Sequence, residues 1–201
     1  MRITKVTGFA ALDSRGRPTV AVQVQIDNEK VFTARTPSGA STGKHEAKEL
    51  RDADGLGVNQ AVANVNEKIA PALIGKEADP YYIDTLLANL DPSEDHRDLG
   101  ANATLATSLA IAKAAGGDNL ARYLDKSDSL LIPMPMVNIL SGGAHAAKTM
   151  DIQDVLIIPS QANSFRQALE WIVSVRECAA KDGKEIGTTH LIADEGGLGL
   201  P

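Results

Sequence analysis

The sequence predicts an α+β unit over residues 1–125, a three-stranded antiparallel meander covered by helices, followed over 131–201 by the opening strands and helices of a second, α/β unit. Three observations carry this. A run from Thr19 alternates apolar and polar side chains, apolar residues then recur at steps of three and four as far as Ala115, and continuous apolar runs ending in glycine and polar groups take over after a polar stretch at Lys126–Leu130.

In the first unit Val20, Val22, Val24 and Ile26 alternate with Ala21, Gln23, Gln25 and Asp27, the period of two of a half-buried strand. Turn chemistry at Asp27-Asn28-Glu29-Lys30 and a β-prone run from Val31 to Thr36 make the next strand a hairpin partner. A weaker strand spans Ile3 to Phe9, completing the meander. Val58, Val62, Val65 and Ile69 mark an amphipathic helix ending before Pro71. Asp79-Pro80 starts another, with Ile83, Leu86, Leu87 and Leu90 on its stripe. The run Asn102–Ala115 is apolar nearly all round, so it predicts a helix buried in the interior, with Leu105, Leu109 and Ala112 along one side and Gly116-Gly117 as its stop.

In the second unit Pro133–Leu140 is a strand-compatible run closing on Ser141-Gly142-Gly143-Ala144-His145, and Val155–Ile158 reads as a continuous apolar strand behind Gln153-Asp154. Ser164 and Gln167 have capping-box spacing for a helix carrying Phe165, Leu169, Ile172, Val175 and Ala179 and ending near Gly183. Leu191-Ile192-Ala193 is a short strand that ends in Asp194-Glu195-Gly196-Gly197. Acids at the carboxyl end of such a strand face the crevice where connecting loops gather.

A formal charge of −6 lacks the basic face that nucleic acid or an anionic membrane surface requires. No apolar run reaches the ~18 residues of a membrane span, and no leader pattern is visible, so a cytoplasmic protein acting on small molecules or metals is expected. The single cysteine, Cys178, fits a reducing compartment and a small buried hydrophobe.

The segment from Pro37 to Ala47 is rich in glycine and hydroxyl groups, able to meet an anion or a hydrated cation, although a linker has the same composition. No Lys-Ser/Thr pair follows Gly43, which disfavours a nucleotide-phosphate loop. His145, the pair Gln153 and Asp154, and the pair Asp194 and Glu195 each flank an apolar strand. A histidine, an amide and carboxylates brought together from successive strands suit acid/base work beside a metal or phosphate.

Four blocks carry a resemblance. They are Leu12-Asp13-Ser14-Arg15-Gly16 with Pro18-Thr19-Val20, the run Pro37–Ala47, the run Asn64–Leu73, and Ala193–Gly197, with weaker support at 99–103 and 138–146. In these the chain resembles the enolase family. The resemblance implies an N-terminal α+β capping domain over 1–125 and, over 131–201, the beginning of an enolase-type α/β barrel whose opening order is strand, strand, helix, helix. It also implies magnesium-dependent dehydration of 2-phosphoglycerate to phosphoenolpyruvate in glycolysis, commonly by a homodimer. Residue by residue, it implies Glu195 as the acid that protonates the departing hydroxide and Asp154 as an acid beside it. Gln153 and His145 match substrate contacts, and Ser41 matches a hydroxyl that completes the coordination of a second magnesium.

This sequence departs from that pattern where Asp154 stands for a glutamate and Arg17 for an asparagine, where the stretches near Asp54–Val58 and Gly116–Leu120 are short, and where Leu198-Gly199-Leu200-Pro201 replaces Phe-Ala-Pro. A complete barrel takes on the order of 250 residues, against about 70 here. In the family the base lysine, a second lysine, a substrate histidine and arginine, and the three acids of the first magnesium follow this point. The expectation is therefore a truncated barrel, inactive alone, seeking an oligomer or a complementing C-terminal half. The alternative is a drifted, non-catalytic relative with a binding or structural role.

Overall fold

The computed structural model describes residues 1–201 except Asn28, 40–42, Lys126, Asp128, 144–150, Ile186, 188–190, 193–195, 200 and 201. The chain divides into two compact units, Met1–Leu130 and Leu131–Pro201.

In the first unit β1 (Ile3–Leu12), β2 (Pro18–Ile26) and β3 (Val31–Arg35) form the antiparallel meander that the alternation predicts. β1 runs past Phe9 to Leu12, which pairs with Pro18. Proline is tolerated there because it opens its strand. Val20, Ala21 and Val22 are all fully buried, so this part of β2 is covered on both faces.

The helix expected to end before Pro71 continues through it. α1 (Asn59–Asn64), a π-helical turn (Val65–Ile69) and α2 (Ala70–Leu73) form one uninterrupted run with Val65, Ile69 and Leu73 fully buried. An α-helical Pro71 would press its ring on the carbonyl of Glu67 and has no N–H to donate; the wider π turn relieves the clash. Asn66 on that turn holds β1, its Oδ1 accepting from Gly8 N–H at 2.8 Å and its Nδ2 donating to Gly8 C=O at 3.0 Å.

α3 (Pro80–Leu90) starts as predicted, with the Asp79 carboxylate accepting from Tyr81 N–H at 3.0 Å and Pro80 in its first turn. α4 (Ala101–Gly116) forms, but it is not buried all round as expected. Leu105 and Leu109 are 42% and 36% exposed, whereas Ala103, Ala106, Thr107, Ala110 and Ile111 are fully buried. Small side chains let the helix axis approach the sheet closely, and leucines on that face would hold it away. Beyond it lies α5 (Leu120–Leu124).

The second unit holds β4 (Val137–Ser141), β5 (Asp154–Ile157), α6 (Phe165–Glu185), β6 (Leu191–Ile192) and β7 (Leu198–Gly199) in a sheet ordered β5-β4-β7-β6. β4 is antiparallel to β5 and parallel to β7. The described strands form an open sheet, not a closed barrel. Among the described residues one helix, α6, follows the opening strand pair where two were expected. Ser164 Oγ accepts from Gln167 N–H at 3.1 Å, while Gln167 Oε1 accepts from Asn163 N–H at 2.7 Å. Of the predicted α6 stripe, Ile172 is buried and Phe165, Leu169 and Val175 are exposed. β5, the expected continuous apolar strand, is an edge strand among the described ones, with Val155 and Leu156 exposed. Cys178, expected buried, is exposed, because the covered side of α6 runs through Ala168, Ile172 and Gly183.

Among the described residues no helix is long and apolar enough to cross a membrane.

A Cβ on Gly8 would lie 2.7 Å from Val65 Cβ, backed by the fully buried helical run. G8A is therefore expected to destabilise the first unit by about 1–3 kcal/mol through overpacking, read as a lower denaturation midpoint at unchanged slope. Asp91 generates a second expectation. It is 1% exposed, and its carboxylate accepts from Ser93 Oγ, from Ser93 N–H at 3.2 Å and from Leu99 N–H at 2.8 Å. Burial works to raise its pKa, but these donors and nearby His96 outweigh it and hold the carboxyl below the ordinary value. Its contribution to stability is thus complete above the unfolded pKa of about 3.9 and is lost as pH falls through the lower folded value. D91N should flatten that acid limb and cost about 1–3 kcal/mol near neutrality by stranding buried donors, measured by chemical denaturation across pH.

Candidate active site

β4 ends where β5 begins, because the two are antiparallel and joined by one connection. Gly142 N–H donates to Gln153 C=O at 2.7 Å, and Ser141 pairs with Asp154. The end of the Ser141-Gly142-Gly143 block therefore lies against the Gln153-Asp154 pair, as a convergent site requires. Gly143 has φ +56°, and a Cβ there would meet Gln153 Cα at 3.7 Å.

The centre of the arrangement is Asn138, to which the sequence alone assigns no role. Its Nδ2 donates to Asp154 Oδ1 at 2.6 Å and to Ser141 Oγ at 2.7 Å. Asn138 Oδ1 is buried and accepts no hydrogen bond. The signal in the sequence was an amide interrupting the apolar run Val137–Leu140. β7 brings the third element. Gly197 is buried, and a Cβ on it would collide with Ser141 Oγ and lie 3.3 Å from Asn138 Nδ2. Its neighbour Gly196, at φ +80°, is held from α6 by Arg176, whose guanidinium donates to Gly196 C=O at 3.2 Å. Asp154 is half-buried and Gln153 exposed. His145, Asp194 and Glu195 lie outside the described residues.

In the first unit the hydroxyl- and glycine-rich segment borders a cleft of about 640 Å³ lined by Arg17, Thr36, Ser38, Lys44 and Glu46 among others. Both ends of the segment are tethered to α4. Thr36 Oγ1 donates to Asn102 C=O at 2.5 Å, while the Asn102 side chain accepts from Leu50 N–H at 3.1 Å and donates to Leu50 C=O at 3.0 Å. Arg51 is committed to structure, donating to Pro18 C=O, Leu56 C=O and Glu49 Oε2. Asp95 binds Arg97 at 2.6 Å and Lys48 at 3.3 Å. The Arg97 guanidinium, followed by Lys48 and against a desolvation cost, holds the Asp95 carboxyl below its usual range. Ser41 lies outside the described residues. Among the described ones no group of three or more His, Cys, Asp or Glu side chains is arranged to hold a metal.

The comparisons agree with this anatomy. The enolase N-terminal domain family matches residues 3–124, and the enolase C-terminal TIM barrel domain family matches residues 129–200. The chain belongs to the enolase family. Among its relatives, the enolase of Corynebacterium kroppenstedtii is 47% identical over 98% of this chain and 48% of its own length. The enolase of Bdellovibrio bacteriovorus is 44% identical over 98% of this chain and 49% of its own length. This member of the family thus spans about half the length of the curated relatives it matches.

The contact between Gly197 and Ser141 is expected to be specific. G197A should weaken the second unit by about 1–3 kcal/mol, and adding S141A should recover part of that loss by removing the oxygen the new methyl meets. Amide exchange of the β4 and β7 peptides in the single and double variants measures both. Equal exchange in parent and G197A contradicts the close approach.

Proposed function

We propose that this chain supplies the acid side of an enolase site: Glu195, Asp154, Gln153, His145 and Ser41 act in dehydration of 2-phosphoglycerate to phosphoenolpyruvate. The observation that carries the reading is the junction at Asn138, whose amide donates to Ser141 at the end of β4 and to Asp154 at the start of β5, with Gly197 packed beside Ser141 and Asn138. Support for the two undescribed residues is their place in the sequence, Glu195 two residues before Gly197 and His145 two residues after Gly143.

In this reaction the bond between carbon 2 and its proton breaks, the bond between carbon 3 and its hydroxyl breaks, a carbon–carbon double bond forms, and water departs. Glu195 gives its proton to the leaving hydroxide, which spares the reaction a poor leaving group. Asp154 flanks that hydroxyl, and the amide of Asn138 fixes the direction of its carboxylate. Gln153 and His145 orient the substrate. Magnesium, when bound, stabilises the charge that develops on the carboxylate as the proton leaves. Of the ligands for it, this chain is assigned one, the Ser41 hydroxyl. The family resemblance assigns its main ligands and the base to later barrel strands. Cytoplasmic glycolysis is the setting this reading implies, with a homo-oligomer or a complementing C-terminal half as partner.

A second reading, a non-catalytic relative, draws on Asp154. The carboxylate is one methylene shorter than the family's glutamate and is already engaged by Asn138 at 2.6 Å. Displacement of a reacting group by about 1 Å can cost on the order of a hundredfold in rate.

The 201-residue polypeptide with magnesium and 2-phosphoglycerate is expected to produce no rise in enol-phosphate absorbance. Mixing it with a polypeptide comprising the C-terminal half of the Corynebacterium kroppenstedtii relative should produce turnover that E195Q abolishes. Turnover by the unaided polypeptide near that of an intact enolase would refute the division of labour. A well-assembled mixture without turnover favours the non-catalytic reading.

A further inference from the structure

The Leu12–Gly16 motif forms a turn that reaches a distant segment of the chain. β1 ends at Leu12, and Asp13 turns the chain. Its Oδ1 accepts from Arg15 N–H at 2.9 Å and Arg17 N–H at 2.8 Å, while Asp13 N–H donates to Arg17 C=O at 2.9 Å. The Asp13 side chain is 4% exposed, and Oδ2, which accepts no hydrogen bond, faces Arg15 Nε at 3.9 Å. Opposite that carboxylate the Arg15 guanidinium reaches across to a segment more than twenty residues away. One nitrogen, Nη2, donates to both Ser38 C=O at 2.9 Å and Gly39 C=O at 3.0 Å. These two carbonyls belong to an irregular stretch between β3 and α1 that lacks ladder partners of its own.

We propose that Arg15, oriented by Asp13, is a positioning residue that clamps the near root of the Pro37–Gly43 segment, with Glu46 holding the far root. The far contact is Glu46 Oε1 accepting from Gly43 N–H at 2.8 Å. Together the two fix where the backbone enters and leaves the stretch that includes Ser41. The guanidinium suits the task because its donors are planar and permanently charged, so it serves adjacent carbonyls with little loss of entropy per bond. A lysine ammonium also has donors enough for both carbonyls, but they rotate on a flexible four-carbon stem and hold the pair less rigidly. Backbone N–H donors from the Asp13 turn, chiefly that of Arg17, hold the Asp13 carboxyl below the ordinary range, so the orienting charge persists throughout the neutral and mildly acidic range. The consequence for catalysis rests on the reading of Ser41 given above; the clamp itself does not.

The test is amide exchange of the peptide spanning residues 37–47 in parent, R15A and R15K, with a β2 peptide as the internal reference. Loss of both carbonyl bonds in R15A should speed exchange in the 37–47 peptide about tenfold while leaving β2 unchanged. R15K should fall between parent and R15A. Tryptic cleavage after Lys44 should accelerate in the same order. If exchange in that peptide is no faster in R15A, or rises by the same factor in β2, the clamp is overturned. Because no substrate or metal enters the measurement, failure of the catalytic reading leaves its outcome intact.

Discussion

The close seat of α4 on β2 and β3 is the constraint on which the first unit depends. Alanines and threonines on its inner face let the helix lie near the sheet, and that proximity covers a part of β2 already covered from the other side. The seat also fixes Asn102, fully buried in the first turn of the helix. From there one amide side chain pins Leu50 through both its backbone groups, and its own carbonyl receives the hydroxyl of Thr36. Gly100, at φ +95°, allows this approach, because a Cβ there would stand 2.5 Å from Leu50 Cβ. The long irregular segment from Thr36 to Leu50 therefore hangs from a helix anchored in the core, and the Arg15 and Glu46 contacts subdivide it. Loops that carry function are placed by rigid scaffolds in this way.

The second unit concentrates polarity where three strand ends meet. Asn138 lies within β4, and its amide bridges the β4 end and the β5 start while Gly197 packs beside it. Such a bridge is costly to leave incomplete, since each buried polar atom without a partner forfeits its hydration. Asn138 Oδ1 is such an atom. The apolar surface of this unit has the opposite character. Phe165, Leu169 and Val173 on α6 are exposed, as are Val155 and Leu156 on β5, which is an edge strand among the described ones.

Each unit has its own polar arrangement, a segment tethered to α4 in the first and a junction of strand ends in the second. At that junction the Asp154 carboxylate accepts from the Asn138 amide at 2.6 Å, which fixes where it points.

The alternation at β2, the cap at Asp79-Pro80 and the enolase motifs were legible in the sequence, since each depends on spacing along a few residues. Which side of α4 is buried was not, because hydrophobicity favours its leucines while the distance between helix and sheet admits only small residues. The passage of the helical run through Pro71 likewise needed the π turn, a backbone adjustment that composition does not announce. At the site, Gln153 and Asp154 were named from their place beside an apolar run, whereas Asn138 and the carbonyl grip of Arg15 were not. Their roles arise from contacts across sixteen and more than twenty residues of chain, and only antiparallel registry and close packing bring such groups together. The sequence by itself determined the elements, the family and the candidate acids; tertiary structure decided faces, edges and partners, because burial is a property of neighbours that a linear order of residues does not contain.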